Sequence, residues 1–441
     1  MKLAANKEGK ILALESDWSV DHGPYSEFGD LLTQRGMQFG CAGYMIPNIR
    51  GNGRTVCTNH GWGSAFRGYG SPEIMFPSEV LMDELAEKVG MDPFEFRYKN
   101  IYRPGDTTPT SCEPDVYCLE ELFDKSRPVY ELAKKTAAKK NASAAPGKKY
   151  GVGVSTNIYG CGLDGPDSSE AWAELTKKGV SVGNSWEDHG QGADVATLTF
   201  AHEALKPLHI KPEQIDLVLN DMTKTPNSGP AGGSRSNVVT GNATVVACRN
   251  LLEAMKKDDG TYRSYDEMVA EKRELKYMGK WTAPCTDTPP TDGQGNPFAA
   301  YMYGVCIAEV EVDTKTGKTN VEKMTLASDV GTIINKLVVD GQMYGGLVQG
   351  IGLALSEDFD DLKKHTTLTG CGIPKIKDVP DSLDLIYTQH QRPNSLLGAS
   401  GAGEMPLAAP HAAIINAIYN ACGARITHLP ARPEKVLAAI A

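Results

Sequence analysis

Four short segments combine small residues with one or two strongly polar side chains. They are residues 65–70 (AFRGYG), 188–194 (DHGQGAD), 228–235 (SGPAGGSR) and 398–406 (GASGAGEMP). A backbone without large side chains lets its N–H groups approach a ligand, as in many anion-binding loops. Two of the segments precede predicted helices, whose positive N-terminal ends favour phosphate. Together they predict a large anionic ligand, although each loop alone is more often a tight turn.

Glu404 stands in the last of these segments, immediately before Pro406 and a predicted helical region. A carboxylate in this position has two possible roles. It stabilises the start of a helix through its charge, or it acts as a general base. Position alone favours the helix-start role. The residue pattern does not exclude the general base, so both roles stay open.

Several common catalytic motifs are absent from the sequence. Gly317-Lys318-Thr319 resembles the end of a phosphate-binding loop, but Val312 stands where that loop needs glycine. The short GxG runs lack the third glycine of a dinucleotide fingerprint, and no GxSxG occurs. The ten cysteines include no CxxC pair, which excludes a zinc ribbon and the short-spaced part of an iron–sulfur site.

Length and composition indicate a globular protein. The chain has 441 residues, 41% hydrophobic and 23% charged, which predicts two large or about three compact domains. The net charge of −10 argues against non-specific nucleic-acid binding, which needs a basic face. We find no run of about 18 apolar residues and no apolar signal core, so we expect no membrane span. A cytoplasmic location with reduced cysteines is therefore expected.

Helix and strand patterns alternate irregularly, which predicts an α+β fold. Residues 132–149 are basic and poor in large apolar side chains, which makes them the best linker candidate. We therefore predict one domain over residues 1–130, a linker over 131–150 and a second domain over 151–441. The predicted strands are residues 2–5, 10–20, 150–157, 170–175, 179–182, 301–312 and 319–326. The predicted helices are residues 78–90, a short one from 93, 194–205, 342–357 and 411–421.

Taken in order, the polar small-residue segments resemble the molybdenum-binding part of the xanthine oxidase family. Within that family they resemble the bacterial aldehyde oxidoreductases that carry molybdopterin cytosine dinucleotide. The resemblance extends from about residue 2 to the C-terminus. The segments that carry it are residues 46–60, 65–70, 187–194, 228–235, 340–357 and 398–418.

The resemblance implies two large mixed α/β molybdenum-cofactor-binding domains, the first truncated at its N-terminus. It implies oxidative hydroxylation of aldehydes to carboxylic acids, with water as the oxygen source and Glu404 as the general base. It places Arg35, Tyr69 and Tyr159 along the substrate channel. The metal is expected to be held by the pterin, without a side-chain ligand from this chain. The implied cofactor-binding residues are Phe66, Arg67, Gly68, Tyr69, His189, Gly190, Gln191, Gly192, Ala193, Asp194, Gly232, Gly233, Ser234, Arg235, Ala399, Ser400, Gly401 and Ala402.

The sequence also departs from the family pattern. An upstream GGxFG-type loop and two [2Fe–2S] domains are missing, so we expect these clusters on a missing part or a partner subunit. The chain is then the C-terminal portion of a longer enzyme that needs this part for activity, and a homodimer of the assembled enzyme fits the family. A non-catalytic gene fragment and a family member acting on N-heterocycles or acyl-CoA remain as alternatives.

Overall fold

The computed structural model describes residues 1–25, 27–61, 63–163, 165–284, 287 and 293–440. Within these residues, the strands are β1 (Lys2–Ala5), β2 (Ile11–Asp21), β3 (Ile49–Val56), β4 (Lys148–Cys161), β5 (Ser168–Thr176), β6 (Gly179–Asn184), β7 (Ile215–Leu219), β8 (Lys276–Thr282), β9 (Ala300–Asp313), β10 (Thr319–Asp329) and β11 (Ser382–Thr388). The helices are α1 (Gly29–Phe39), α2 (Ser71–Val89), α3 (Pro93–Asn100), α4 (Leu119–Ala142), α5 (Ala193–Ala204), α6 (Ser236–Met255), α7 (Tyr265–Ala270), α8 (Lys336–Leu355), α9 (Pro410–Cys422) and α10 (Pro433–Ile440).

The strands form three sheets, with the orders β1-β2-β3, β11-β10-β9-β4 and β7-β6-β5-β8. The pairs β2–β3, β6–β7 and β10–β11 are parallel, and the remaining pairs are antiparallel. Helices pack against the sheets without a regular strand–helix repeat. The predicted mixed helix-and-sheet fold is therefore confirmed.

Two large hydrophobic clusters fill the interior. One joins β2, β4, β9 and β10 to α2, α3, α4, α8 and α9, and so combines residues from both ends of the chain. The other lies between the β7-β6-β5-β8 sheet and the helices α5 and α6, and it draws only on residues 171–281. The chain thus leaves the first core after β4 and builds the second. It contacts the first core again through Val238 and Val239 of α6 and rejoins it fully at β9.

The segment predicted as a linker is largely regular structure. α4 continues to Ala142, and β4 begins at Lys148. Tyr130 and Ala133 of α4 are buried, whereas Leu132 is 66% exposed, so the low apolar content is that of an exposed helix face. Residues 131–150 therefore border the first core from outside, and the division at this point stays a prediction.

The helix α9 lies unusually close to β4. A Cβ atom at Gly151 or Gly153 would lie 2.2 or 2.1 Å from the carbonyl oxygens of Ala417 and Ala413, respectively. Glycine at alternate positions of β4 therefore lets the helix backbone rest directly on the sheet. This contact fixes α9 and, with it, the preceding segment 398–406. None of the described helices is long and apolar enough to cross a membrane.

Candidate functional site

The four small-residue loops meet at one cavity of about 940 Å³. It borders the first hydrophobic cluster and a small third cluster that contains Trp186 and Ala193. Ligand pockets are commonly about 300–1,000 Å³, so this cavity has room for a large cofactor. Residues predicted as functional that line it are Arg35, Phe66, Arg67, Tyr69, His189, Gln191, Gly192, Ala193, Gly232, Gly233, Ser234, Ser400, Gly401, Ala402 and Glu404. The fold thus brings together predicted segments that are up to several hundred residues apart.

Three helices begin at the cavity wall. Ala193 at the start of α5, Ser236 at the start of α6 and Asn335 before α8 all border it. The N-terminal ends of helices carry unpaired N–H groups and a partial positive charge. Their convergence favours a ligand that carries phosphate groups.

Backbone forms much of the wall opposite α8. A Cβ atom at Gly232 would meet nothing within 4 Å, so the loop offers bare main chain to the cavity. A Cβ atom at Gly233 would instead lie 2.3 Å from the carbonyl oxygen of Gly162, and one at Gly401 would lie 2.2 Å from the carbonyl oxygen of Ser234. Glycine at position 401 therefore lets the loops 228–235 and 398–406 interlock, and this cradle fits a large, heavily hydrogen-bonding anion.

Arg67 braces the cavity from the side of α8. Its Nε donates to the carbonyl oxygen of Gly403, its Nη1 to Gln349 Oε1 at 2.9 Å, and its Nη2 to the carbonyl oxygen of Gln342 at 2.8 Å. Burial lowers the pKa of Arg67 to about 10, so the guanidinium stays charged at neutral pH. Arg67 thus joins three segments and adds a positive charge to the wall.

Gln342 and Gln349 were not singled out from the sequence. They are seven residues apart on α8, which is about two helical turns and places both on one face. Both side chains border the cavity and bond to Arg67. Their spacing within the recognised segment 340–357 is the signal that could have found them.

Glu404 lies on the cavity wall with both carboxylate oxygens hydrogen-bonded. Tyr159 Oη donates to Oε1 at 2.9 Å, and Ser234 Oγ donates to Oε2 at 2.6 Å. The backbone N–H of Gly68 lies 3.4 Å from Oε1. The Glu404 side chain makes no capping bond to the 3₁₀ turn Met405–Leu407 that follows it. The carboxylate therefore faces the cavity and does not cap a helix.

The predicted channel residues occupy different depths. Arg35 and Tyr69 border the cavity, and both are buried, with 2% and 7% exposure. Tyr159 has no exposure and is not part of the wall, and its place along the substrate channel stays a prediction. Its ring stacks on Phe39, and only its hydroxyl reaches Glu404. Tyr159 therefore lies behind the carboxylate.

The Arg235 side chain holds its own loop together, and the contact of this residue with a cofactor stays a prediction. Its guanidinium forms a buried ion pair with Asp167, with Nη2 at 2.7 Å from Oδ1. The remaining N–H groups donate to the carbonyl oxygens of Ser228, Pro230 and Ser168. All five donors are used inside the protein, and the side chain does not border the cavity.

Asp188 organises the loop before α5. Its carboxylate accepts hydrogen bonds from the backbone N–H groups of Gly190 at 2.7 Å, Gly192 at 3.2 Å and Asp194 at 3.1 Å. Burial raises the pKa of Asp188, but these N–H donors outweigh it and leave the pKa below its usual range. The loop is thereby held in shape while Gln191 borders the cavity.

Four further residues that were predicted to bind the cofactor lie in the same loops but do not border the cavity. They are Gly68, Gly190, Asp194 and Ala399. Apolar wall residues that the sequence analysis missed are Phe28, Leu31, Leu163, Trp186, Val330, Ile334, Val338 and Val339. These side chains carry no motif, and only the three-dimensional fold places them together.

Two groups of side chains in the described part of the chain could hold a metal ion directly. They are Cys118, Asp329 and His390, and Asp358, Asp360 and His365. Neither group borders the cavity. In the first, Asp329 already pairs with Arg392 at 2.8 Å and with the imidazole of His390 at 2.7 Å. The cavity wall itself offers anion-binding groups.

Two family models, both described as a molybdopterin cofactor-binding domain, match residues 1–101 and 125–380. The chain belongs to the molybdopterin-binding domains of the xanthine oxidase family. Over its full length it is 60% identical to the aldehyde oxidoreductase of Megalodesulfovibrio gigas and covers 48% of that protein. It is 28% identical to one subunit of a probable xanthine dehydrogenase of Bacillus subtilis, and it covers 61% of that protein.

The family relationship extends to solved structures. The aldehyde oxidoreductase of Desulfovibrio desulfuricans ATCC 27774 is 63% identical and superimposes over the whole chain with a TM-score of 0.97. The chain covers 48% of that structure. A Cu,Mo-CO dehydrogenase shares the fold alone, with 20% identity and a TM-score of 0.82. The chain therefore spans about half the length of the aldehyde oxidoreductases that it matches.

Proposed function

We propose that this chain is the catalytic, molybdopterin-binding portion of an aldehyde oxidoreductase. The reaction is R–CHO + H₂O → R–COOH + 2e⁻ + 2H⁺. The observation that carries the proposal is the Glu404 carboxylate, held through both oxygens at the wall of a large cavity. Support comes from the 60% identity to an aldehyde oxidoreductase along the whole chain.

The cofactor in this proposal is molybdopterin cytosine dinucleotide. Its phosphates would lie near the N-terminal ends of α5, α6 and α8, and its pterin near the interlocked loops 228–235 and 398–406. When bound, the molybdenum cofactor supplies two-electron redox chemistry and activates water. Arg67 adds positive charge beside the cofactor and holds the loop of Glu404 in place.

Glu404 acts as the general base in this proposal. Each of its oxygens accepts one hydroxyl proton in a hydrogen bond and keeps lone pairs for a further proton. The carboxylate takes up the proton released when oxygen from water adds to the aldehyde carbon. Phe28, Phe66 and Leu163 give this end of the cavity apolar walls, which admit the aldehyde.

The electrons need an exit that the described residues do not provide. We propose that [2Fe–2S] clusters on the remaining part of the enzyme, or on a partner subunit, receive them. The proposal includes a cytoplasmic location and assembly with the upstream portion of the molybdenum domain. A homodimer of the assembled enzyme is also proposed.

The test uses the chain co-expressed with its upstream portion. We expect about one molybdenum and one released CMP per chain, together with aldehyde-dependent reduction of an electron acceptor. Glu404→Gln removes the base but not the bulk of the side chain, so turnover should fall by about 10²–10⁴-fold with cofactor content unchanged. The control is Glu203→Gln on the surface of α5, which should leave turnover unchanged.

Each alternative has its own result. Full activity of Glu404→Gln would remove Glu404 from the mechanism. Turnover of N-heterocycles or acyl-CoA without aldehyde turnover would place the enzyme elsewhere in the family. Absence of molybdenum from the co-expressed sample would indicate a non-catalytic fragment.

A further inference from the structure

Arg35, Tyr159 and Glu404 form a continuous chain of hydrogen bonds. Arg35 Nη1 donates to Tyr159 Oη at 2.7 Å, and Tyr159 Oη lies 2.9 Å from Glu404 Oε1. The guanidinium is enclosed by three aromatic rings, with their centroids 5.3–5.7 Å from its central carbon. Its Nη2 donates to the carbonyl oxygen of Gly162 at 2.7 Å. A buried charge thus lies two hydrogen bonds behind the carboxylate.

The direction of these bonds is fixed by chemistry. A guanidinium has donors and no acceptor, so the hydroxyl oxygen of Tyr159 accepts from Arg35. The phenolic proton of Tyr159 is then directed towards Glu404 Oε1. On the other side, Ser234 Oγ accepts the backbone N–H of Glu404 at 3.1 Å and directs its own proton to Oε2 at 2.6 Å. Both carboxylate oxygens are therefore acceptors.

Both hydroxyl donors are held by rigid surroundings. Tyr159 lies in β4 with no exposure, and its ring stacks on Phe39 with centroids 5.0 Å apart. Ser234 has a φ of +50°, in the left-handed region that non-glycine residues rarely adopt. Such a conformation is strained and persists where the surrounding structure imposes it. The hydroxyl of Ser234 is thereby aimed at the carboxylate.

We propose that Tyr159 and Ser234 are positioning residues that hold Glu404 in one orientation, and that Arg35 orients Tyr159. This inference rests on the proposed role of Glu404 as general base. The family resemblance places Arg35 along the substrate channel, where an arginine would steer polar or anionic substrates. A steering residue would act on the substrate, whereas this arginine acts through Tyr159 on the base.

The first test is Tyr159→Phe in the assembled, cofactor-loaded enzyme. The ring packing on Phe39 is kept and the hydrogen bond is lost. We expect kcat to fall by about 10–100-fold, because a misplaced catalytic group loses much of its effect. KM for the aldehyde and the molybdenum content should stay within about twofold. A crystal structure of the cofactor-free variant should show the Glu404 carboxylate turned away from its position here.

Two further variants separate positioning from folding. Ser234→Gly removes the other hydroxyl but suits the left-handed backbone, so it should fold well and also lower kcat. Tyr44→Phe is the matched control, because this buried tyrosine bonds to Glu79 and Thr156 and does not border the cavity. It should lower the melting temperature and leave kcat unchanged.

Arg35→Lys separates positioning from substrate steering. Positioning predicts a lower kcat for neutral and negatively charged aldehydes alike, with KM little changed. Steering predicts a higher KM for the charged aldehydes alone, and that result would overturn the role of Arg35.

Unchanged kcat and an unmoved Glu404 in both Tyr159→Phe and Ser234→Gly would overturn the whole inference. A cofactor-loaded wild type without aldehyde turnover would instead refute the proposed function. The crystallographic comparison of Glu404 would still test the positioning in that case.

Discussion

His411 lies in the first turn of α9 with its imidazole fully buried. Its Nε2 is 3.0 Å from the carbonyl oxygen of Pro72, and its Nδ1 has no hydrogen-bond partner among the described residues. Burial lowers the pKa of His411 to about 4, because a charged imidazole is poorly stabilised in this interior. The folded protein therefore keeps this side chain neutral at pH values where an exposed histidine is protonated.

The stability of the protein should depend on pH through His411. In the unfolded chain the imidazole titrates near pH 6.5, whereas the folded state binds the proton only near pH 4. The contribution of His411 to the free energy of unfolding is therefore fully present above pH 6.5. It falls by about 3 kcal/mol as the pH decreases to about 4. Urea unfolding of wild type and His411→Gln at several pH values measures this difference. Parallel pH profiles for the two proteins would contradict the assignment.

The two motif arginines show what residue types alone reveal about the site. Arg67 and Arg235 both stand in segments rich in small residues, and both were predicted to contact the cofactor. The structure turns Arg67 to the cavity, and it turns Arg235 to Asp167. The difference depends on where a carboxylate 68 residues away lies, which no local pattern records. Positions of loops were thus predictable, and directions of side chains were not.

At the scale of elements, α8 shows how glycine places one helix against the site. A Cβ atom at Gly345 would lie 3.2 Å from Arg67 Nη1, and one at Gly346 would lie 2.4 Å from Pro406 Cβ. The adjacent glycines therefore let Arg67 cross the helix and let the turn after Glu404 rest on it. Because glycine has no side chain at these two positions, α8 and this turn can lie close together.

Gly346→Ala should destabilise the protein although alanine favours helices. The added methyl group collides with Pro406, and overpacking of this kind costs about 1–3 kcal/mol. Gly341→Ala is the control in the same helix, because its Cβ atom would meet nothing within 4 Å. That variant should gain about 0.5–1 kcal/mol. Thermal unfolding of both variants checks the prediction, and equal shifts would refute it.

Elements with clear local signals were predicted well. The hairpin of β9 and β10 surrounds a polar turn, and α3 begins where Asp92 caps it before Pro93. The helix predicted over residues 78–90 begins too late, because Ser78 has the residue type of a helix N-terminus. The helix begins at Ser71, and the Ser78 hydroxyl bonds to the carbonyl oxygen of Ile74 one turn earlier. Serine favours both environments, and the sequence does not distinguish them.

The helix α6 was not predicted at all. It runs for 20 residues between the β5–β8 sheet and α5, and no residue of its first half, 236–245, is exposed. A helical segment without a solvent-exposed face has no amphipathic pattern of period 3.6 to detect, and only Arg249, Asn250 and Glu253 near the other end are exposed. Its N-terminus nevertheless forms part of the cavity wall, so a helix that the sequence did not predict contributes to the site.

At the scale of the whole molecule, the cavity is lined by parts of the chain that are far apart in the sequence. Trp186, Gln191 and Gly232 border it from the part between β4 and β9, and Arg67 and Glu404 border it from the parts before and after. Sequence patterns predicted the mixed architecture, and the division into residues 1–130 and 151–441 with a linker over 131–150 stays a prediction. The excursion of the chain into a second core depends on packing between residues far apart in the sequence, which local patterns do not record.

Cofactor binding should tighten the junction between these parts of the chain at the cavity. A ligand that binds only the folded state stabilises it by about 4 kcal/mol at 1,000 times its dissociation constant. We expect a higher melting temperature for the loaded enzyme and slower amide exchange in the first turns of α5 and α6. The sheet β1-β2-β3 does not border the cavity and serves as the internal control. Equal slowing in both regions would argue against binding at the junction.

The bond between Arg67 and Gly403 joins residues 336 positions apart. A nascent chain on the ribosome therefore lacks one wall of the cavity until nearly all of the described residues have been made. A ligand that contacts both walls, such as the proposed cofactor, is therefore bound only after the chain has been made beyond Gly403. Cofactor insertion is then a late step, which follows the synthesis of nearly all of the described residues.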